Sequence, residues 1–346
     1  MMGAASHSAG LWTLAWRRLR ADRVAMGSLA VVAAFLLMLV LSASGLIVAD
    51  WEDEVGVNYA PPGFLAWLAA APSASTASSA SAAPSSNEAL PDNPFDPLAD
   101  DIGELKAQLA GAPEQAAAGR RPTLPFGADK WGHDIIKKTI KGGETSIVVG
   151  LVAATLAVGI GTLFGALSGY WGGVVDDFFN WFYSIFTAIP SVLMILAVAA
   201  VLQQRGVTTM VLILGLTGWT GPYRLIRAEY IKHKAREYVM AANAIGASHW
   251  RRMFSHIFPN VSHVALVQLS ILVVGFIKAE VILSFLGFGV PVGTVSWGSM
   301  LNEAQNELIL GKWWQLTAAA GAMALLVTAF SLLADALRDA LDPQLR

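Results

Sequence analysis

Six stretches of this chain are apolar over a length that suits a lipid bilayer, and they leave room for few other architectures. They occupy residues 24–49, 146–170, 181–202, 207–226, 261–286 and 313–337. The first would be about 39 Å long as a helix rising ~1.5 Å per residue, enough to cross a ~30 Å hydrocarbon core with some tilt. Backbone polar groups find no water in that core, so runs of this kind are expected to be helices that satisfy their own hydrogen bonds. Composition agrees, with 55% hydrophobic and 14% charged residues and a mean hydropathy of +0.54; soluble domains carry about a quarter charged residues. The expected fold is therefore an all-α integral membrane protein with six transmembrane helices. The chain has no cysteine, which excludes disulfides and cysteine metal sites.

Charge placement sets the expected topology. Residues 1–23 form a short tail ending in Arg17, Arg18, Arg20 and Arg23, and the polar loop between the fourth and fifth apolar runs carries Arg224, Arg227, Lys232, Lys234, Arg236, Arg251 and Arg252. The loops after the third run and before the sixth hold only Arg205 and Lys312. By the positive-inside rule both termini and the basic loop face the cytoplasm. Ser42-Ala43-Ser44 resembles a signal-peptide cleavage site, but the apolar region before it is too long, so residues 24–49 read as an uncleaved anchor. Residues 50–144 then form an outer loop with fourteen Asp/Glu against seven Lys/Arg. Within it, 69–89 is almost entirely Ala, Ser and Pro, a flexible spacer that cannot bury enough apolar surface to offset its ordering entropy. The remaining divisions are a core of five transmembrane helices at 145–337 and a cytoplasmic tail at 338–346.

The basic loop, residues 227–260, holds the most informative stretch, REYVMAANAIGASHWRRMFSHIFPN from Arg236 to Asn260. Tyr238, Ala242 and Ile245 recur at helical spacing, and Ala242 and Gly246 stack one turn apart, giving a narrow small-residue face on which another protein could sit. Gly246 suits the stop of this helix, Ser248 the cap of a second, and Pro259 both the end of the second and the first turn of the following span. A helix–turn–helix on the membrane surface is expected.

That stretch resembles the EAA loop of the membrane subunits of binding-protein-dependent ABC importers: Ala241, Ala242, Gly246, Ile257 and Pro259 are in register with its pattern, and Met240 stands where the family has Glu. The stretch Pro125-Phe126-Gly127-Ala128-Asp129-Lys130-Trp131-Gly132-His133-Asp134 is similar to the signature preceding the second span in dipeptide and oligopeptide permeases, with Ala128 and His133 in place of Thr and Arg. A surface helix is expected over 134–141. The segments 283–290, 296–301 and 337–343 resemble the same permeases. The family implied is the C-type permease subunit of a dipeptide, oligopeptide or nickel importer, with the type I ABC importer membrane-subunit fold. The resemblance implies a second permease subunit, two ATP-binding subunits that hold ATP and Mg, an outer solute-binding protein, surrounding lipid, and the bacterial inner membrane. Neither a cofactor on this chain nor nucleic acid is implied. It also implies that Arg236, Glu237, Tyr238, Met240, Ala241, Ala242, Gly246, Ala247 and Pro259 couple the chain to an ATPase.

Other residues invite roles on their own account. Gly161, Gly165 and Gly169 form a stripe suited to close helix packing, and Pro190 and Gly221-Pro222 suit helix bends beside a pathway. Glu280, an ionisable residue inside an apolar run, is a candidate for packing or pathway lining; Lys278 reads as snorkelling to the interface. His249, His256 and His263 fall seven apart, about 10 Å along a helix, too far for one metal ion. No nucleotide-binding glycine loop with its Lys occurs, so the chain is not expected to be an ATPase or to have catalytic residues. A secondary transporter would carry internal repeats and charged midplane sites, which are lacking. A docking scaffold without transport stays open from the residues alone, as does the solute.

Overall fold

The computed structural model of the chain describes residues 11–65, 119–202, 204, 206–291 and 293–341; the Ala/Ser/Pro stretch at 69–89 lies outside the described residues, as does the end of the 337–343 segment. Among the described residues the long regular elements are helices. These are α1 (Leu11–Ala21), α2 (Arg23–Ala43), α3 (Ile135–Trp171), α4 (Gly173–Thr187), α5 (Ser191–Leu202), α6 (Val207–Thr217), α7 (Thr220–Lys234), α8 (Glu237–Ala244), α9 (Phe258–Phe285), α10 (Trp297–Ile309) and α11 (Trp314–Leu341). A π-helical run, Arg251–Ile257, leads directly into α9. Among the described residues four helices are long and apolar enough to cross a membrane singly, at Arg23–Ala43, Ile135–Trp171, Arg251–Phe285 and Trp314–Ala340, and the bent pair α4 and α5 makes a fifth if it is one span. The chain is an all-α, multi-pass membrane protein.

Several boundaries differ from the sequence expectation for local reasons. The tail before the first span contains α1, whose apolar residues recur at helical spacing between the arginines. Helix α2 stops at Ala43 because Gly45 takes φ +73 and lets its own N–H and that of Leu46 close on the carbonyls of Ser42 and Leu41. Its 21 residues, about 31 Å at ~1.5 Å each, match the hydrocarbon thickness. Residues 134–141 are not a separate surface helix: Asp134 caps the Ile136 N–H at 2.8 Å, and α3 runs unbroken for 37 residues. The run at 181–202 is divided between α4 and α5, which bend by 83° at Pro190, whose ring and missing N–H interrupt the ladder. The run at 207–226 is shared between α6 and α7, and the break is at Gly218-Trp219, ahead of Pro222. In the first turn of α7 Pro222 removes a donor that has no intrahelical partner anyway.

The chain divides into two compact units. The smaller comprises Asp50–Lys138 and Glu307–Ala318. In it, Ala60, Leu124 and Ala128 form a small buried cluster with Val55 against it. Gly127 and Gly132 have positive φ, and a Cβ on Gly132 would strike the carbonyl of Gly56. Asp129 is fully buried and organises the turn: its carboxylate accepts from the N–H groups of Trp131 and His133 at 2.8 and 2.9 Å, lies 2.9 Å from His133 Nδ1, and receives Lys138 Nζ at 2.7 Å. Burial would raise its pKa, but the Lys138 charge and these hydrogen bonds hold it below the usual carboxylate range. The Gly-Ala-Asp and Gly-His-Asp signature is thus a self-bonded turn at the foot of α3.

The larger unit contains most of the helices. Helix α3 crosses α7 closely: a Cβ on Gly161 would come 2.6 Å from the Trp219 carbonyl, on Gly165 2.8 Å from that of Tyr223, and on Gly169 2.6 Å from that of Arg227. The glycine stripe therefore serves backbone-to-backbone packing, with Pro222 Cβ 2.7 Å from the Gly161 position.

Candidate coupling site

The basic loop folds as a helix–turn–helix, and each bend has a local cause. Arg236, in extended conformation (φ −78, ψ 149), breaks the chain between α7 and α8, and Glu237 begins α8, where its charge suits the positive end of the helix dipole. Gly246, at φ +80, ends α8 with paired bonds from its own N–H to the Asn243 carbonyl and from Ala247 N–H to that of Ala242, each 3.0 Å. Ser248 Oγ then accepts from Arg251 N–H at 3.3 Å, capping the second helix. Arg252 braces the two helices, donating to Asn243 Oδ1 at 2.6 Å.

The second helix does not end at Pro259. It passes through the π-helical run into α9, making one rod from Arg251 to Phe285. A wider turn accommodates a proline that can neither donate nor sit close to the carbonyl four residues back. Within it Phe258 N–H bonds to the Met253 carbonyl, and the hydroxyl of buried Tyr230 donates to the same oxygen at 3.2 Å. Tyr230 belongs to a buried cluster with Ala166, Tyr170, Ile226, Val239, Met253, Ile257 and Val261. This core fastens α8 to α3, α7 and α9.

The orientation of α8 differs from the expected small-residue docking face. Val239 and Ala242 are both 4% exposed and point into the chain's own core, so Ala242 cannot make the close approach to another protein. The helix repeat of ~100° per residue sets Glu237, Met240, Ala241 and Ala244 on the opposite side, and all four are exposed. Met240, 55% exposed, lies on that face. Tyr238 is tied back by its hydroxyl, 2.8 Å from His233 Nδ1. Burial holds that imidazole below its ordinary range, with Glu229 opposing the shift. Of the spaced histidines, His249 lies 3.0 Å from the Tyr170 hydroxyl.

The remaining candidates are spread through the larger unit. Glu280 is fully buried in α9: Ser146 Oγ on α3 and Ser284 Oγ each donate to it at 2.7 Å, and the Ser296 hydroxyl also bonds it. Trp297 N–H donates to Ser146 Oγ at 3.1 Å, and its indole to the Thr139 carbonyl at 2.9 Å. The Ser296-Trp297-Gly298 turn is therefore locked beside the carboxyl. Lys278 is exposed. Sequence reasoning missed a pair that joins α4 to α7: Arg227 Nε and Nη2 both reach Asp176 at 2.6 Å, and Ser168 donates to the same carboxylate. An Asp in the first turn after Gly172-Gly173, with an Arg near the end of the next apolar run but one, was its only sequence trace.

A family model for the binding-protein-dependent transport system inner membrane component matches residues 161–346, over half of the chain. The chain belongs to that family. A second model, the N-terminal TM domain of oligopeptide transport permease C, matches residues 10–62 of this permease. It is 37% identical over 221 residues to the oligopeptide transport system permease protein OppC of Bacillus subtilis (strain 168), covering 64% of this chain and 72% of that one. Against the dipeptide transport system permease protein DppC of the same organism it is 35% identical over 221 residues, 64% of this chain and 69% of the relative. With the DppC of Lactococcus lactis subsp. cremoris (strain MG1363) the identity is 29% over 334 residues, 95% of this chain and 90% of the other. The permease is a membrane component of a transport system, not an enzyme.

Proposed function

We propose that this permease is the C-type subunit of an ATP-driven importer of di- and oligopeptides in the bacterial inner membrane, with both termini in the cytoplasm. The observation that carries the reading is its similarity to a dipeptide permease along 95% of its length. It works with a second permease subunit, two ATP-binding subunits that hold the ATP and Mg, and an outer solute-binding protein that delivers the peptide. The exposed face of α8, with Arg236, Glu237, Met240, Ala241 and Ala244, docks on an ATPase, while Gly246, Ala247 and Pro259 shape the corner that presents it.

The packing supports a mechanical role for that corner. A displacement of α8 is carried by the Tyr230–Met253–Ile257 core into the 35-residue rod from Arg251 to Phe285, about 52 Å long at ~1.5 Å per residue. The Arg227–Asp176 pair couples α4 to the same movement. Peptide moves when ATP-driven closure of the ATPases shifts these elements together. The test is purification of the chain expressed with its candidate partners. Two ATP-binding subunits should accompany the permease pair, and hydrolysis should rise when peptide-loaded binding protein is added to the complex in vesicles. A complex without ATPase, or one unresponsive to any peptide, refutes the reading.

A further inference from the structure

Two helix breaks in the larger unit open on one groove, and neither is accounted for by the coupling corner. Helices α5 and α6 have 12 and 11 residues, about 18 and 16 Å at ~1.5 Å each, too short for a ~30 Å hydrocarbon core. If the apolar runs at 181–202 and 207–226 each cross, α5 does so only together with α4, with which it forms a bent candidate span, and α6 only together with α7, and the breaks at 188–190 and 218–219 then lie inside the hydrocarbon thickness. Irregular backbone at that depth persists where it is buried in protein or lines a watered cavity. The groove is about 240 Å³, and each break contributes two hydroxyl residues to it: Thr187 and Ser191 from one, Thr217 and Thr220 from the other, with Phe186 and Met194 beside them. None of its lining residues is charged.

Both breaks are built features. Trp219, 2% exposed, has its ring 5.3 Å from those of Phe164, Phe182 and Phe186, and a Cβ on Gly218 would collide with the Phe276 ring. Thr187 and Thr217 donate back to the carbonyls of Tyr183 and Ile213 at 3.1 and 2.7 Å, leaving oxygen lone pairs to accept from something else. Neutral hydroxyls, accepting at Thr187 and Thr217 and carrying further protons at Ser191 and Thr220, suit groups common to every peptide, its main-chain N–H and C=O, and make no demand on side-chain charge. We infer that this groove is the section of the translocation pathway that receives the peptide main chain. This rests on the peptide-importer reading and assigns the contact to particular residues.

The absence of native cysteine permits a direct test in the assembled complex in vesicles. Ser191→Cys and Thr220→Cys should react with a small charged methanethiosulfonate reagent at least tenfold faster than Leu37→Cys, an exposed position on α2. Dipeptide added during ATP turnover should slow that reaction several-fold. Thr220→Val should raise the KM for dipeptide uptake several-fold and Thr220→Ser should restore it. Inert groove cysteines, or cysteines indifferent to peptide, in a complex that takes up dipeptide overturn the groove assignment. If the unsubstituted complex takes up no peptide but another solute protects the same cysteines, the peptide reading fails and the groove stands as a pathway.

Discussion

At the scale of single residues, Glu280 and Met240 pose opposite problems. Glu280 is buried, with hydroxyls from Ser146, Ser284 and Ser296 directed at it. Glu280→Leu removes the acceptor and strands those hydroxyls, each at a cost of about 1–3 kcal/mol when left buried and unbonded. Glu280→Gln keeps an acceptor oxygen and supplies donors. The leucine variant should therefore lose several degrees or more of thermal stability in detergent and the glutamine variant far less. Equal melting of both with the parent would show that the carboxyl does not hold the junction. Met240 is exposed on the outward face of α8. A flexible apolar side chain where relatives of the resembled pattern carry Glu calls for an apolar counter-surface, so Met240→Glu should leave the permease folded and lower peptide-stimulated ATP hydrolysis several-fold. Ala241→Trp should act the same way by bulk, since overpacking an interface costs about 1–3 kcal/mol. Unchanged stimulation in both would remove α8 from the contact. Ala242→Trp tests something else, because that side chain faces the protein's own core.

At the scale of elements, the crossing of α3 on α7 depends on glycine at three positions where even a methyl group would touch backbone. Gly165→Ala should destabilise the purified permease by about 1–3 kcal/mol, whereas Gly159→Ala, with nothing within 4 Å of its Cβ position, should be neutral or slightly stabilising through helix propensity. Melting temperatures of the two variants decide it; equal effects would mean the helices move apart without penalty. This crossing was legible in the sequence because a four-residue glycine repeat leaves the same mark wherever two backbones meet. The corner at α8 was legible too, since Gly246 and Ser248 act through their own local geometry. The direction in which Ala242 points was not, because it depends on what Tyr230 and Met253 pack against. Nor was the π-helical run, which changes the width of a turn without changing the kind of residue in it. The break at Gly218 was not legible either, because Pro222 four residues on marks a bend in sequence terms, although a first-turn proline is no obstacle to a helix.

At the scale of the whole molecule, the basic residues that argue for a cytoplasmic coupling corner are those that lie close to span ends. Arg17, Arg20 and Arg23 are exposed beside the start of α2, and Lys232, Lys234, Arg236 and Arg251 are exposed around α8; both groups fall on one side of the bilayer if residues 24–49 and 261–286 each cross once from that side. Long loops count little in the positive-inside rule, so the acidic stretch after α2 follows the spans instead of setting them. The prediction is that Glu52→Cys, exposed and in the smaller unit, reacts with a membrane-impermeant maleimide added to intact cells, while Ile245→Cys, 84% exposed at the end of α8, reacts only after the membrane is opened. Both positions are accessible in the fold, so a difference between them reports the side of the membrane and not burial, and the cysteine-free background removes other signals. An ATPase seated on α8 would slow Ile245→Cys even in opened cells, which is why the chain expressed without partners supplies the reference rate. Labelling of Ile245→Cys in intact cells at the rate of Glu52→Cys would place the corner outside and, with it, out of reach of any ATP-binding partner.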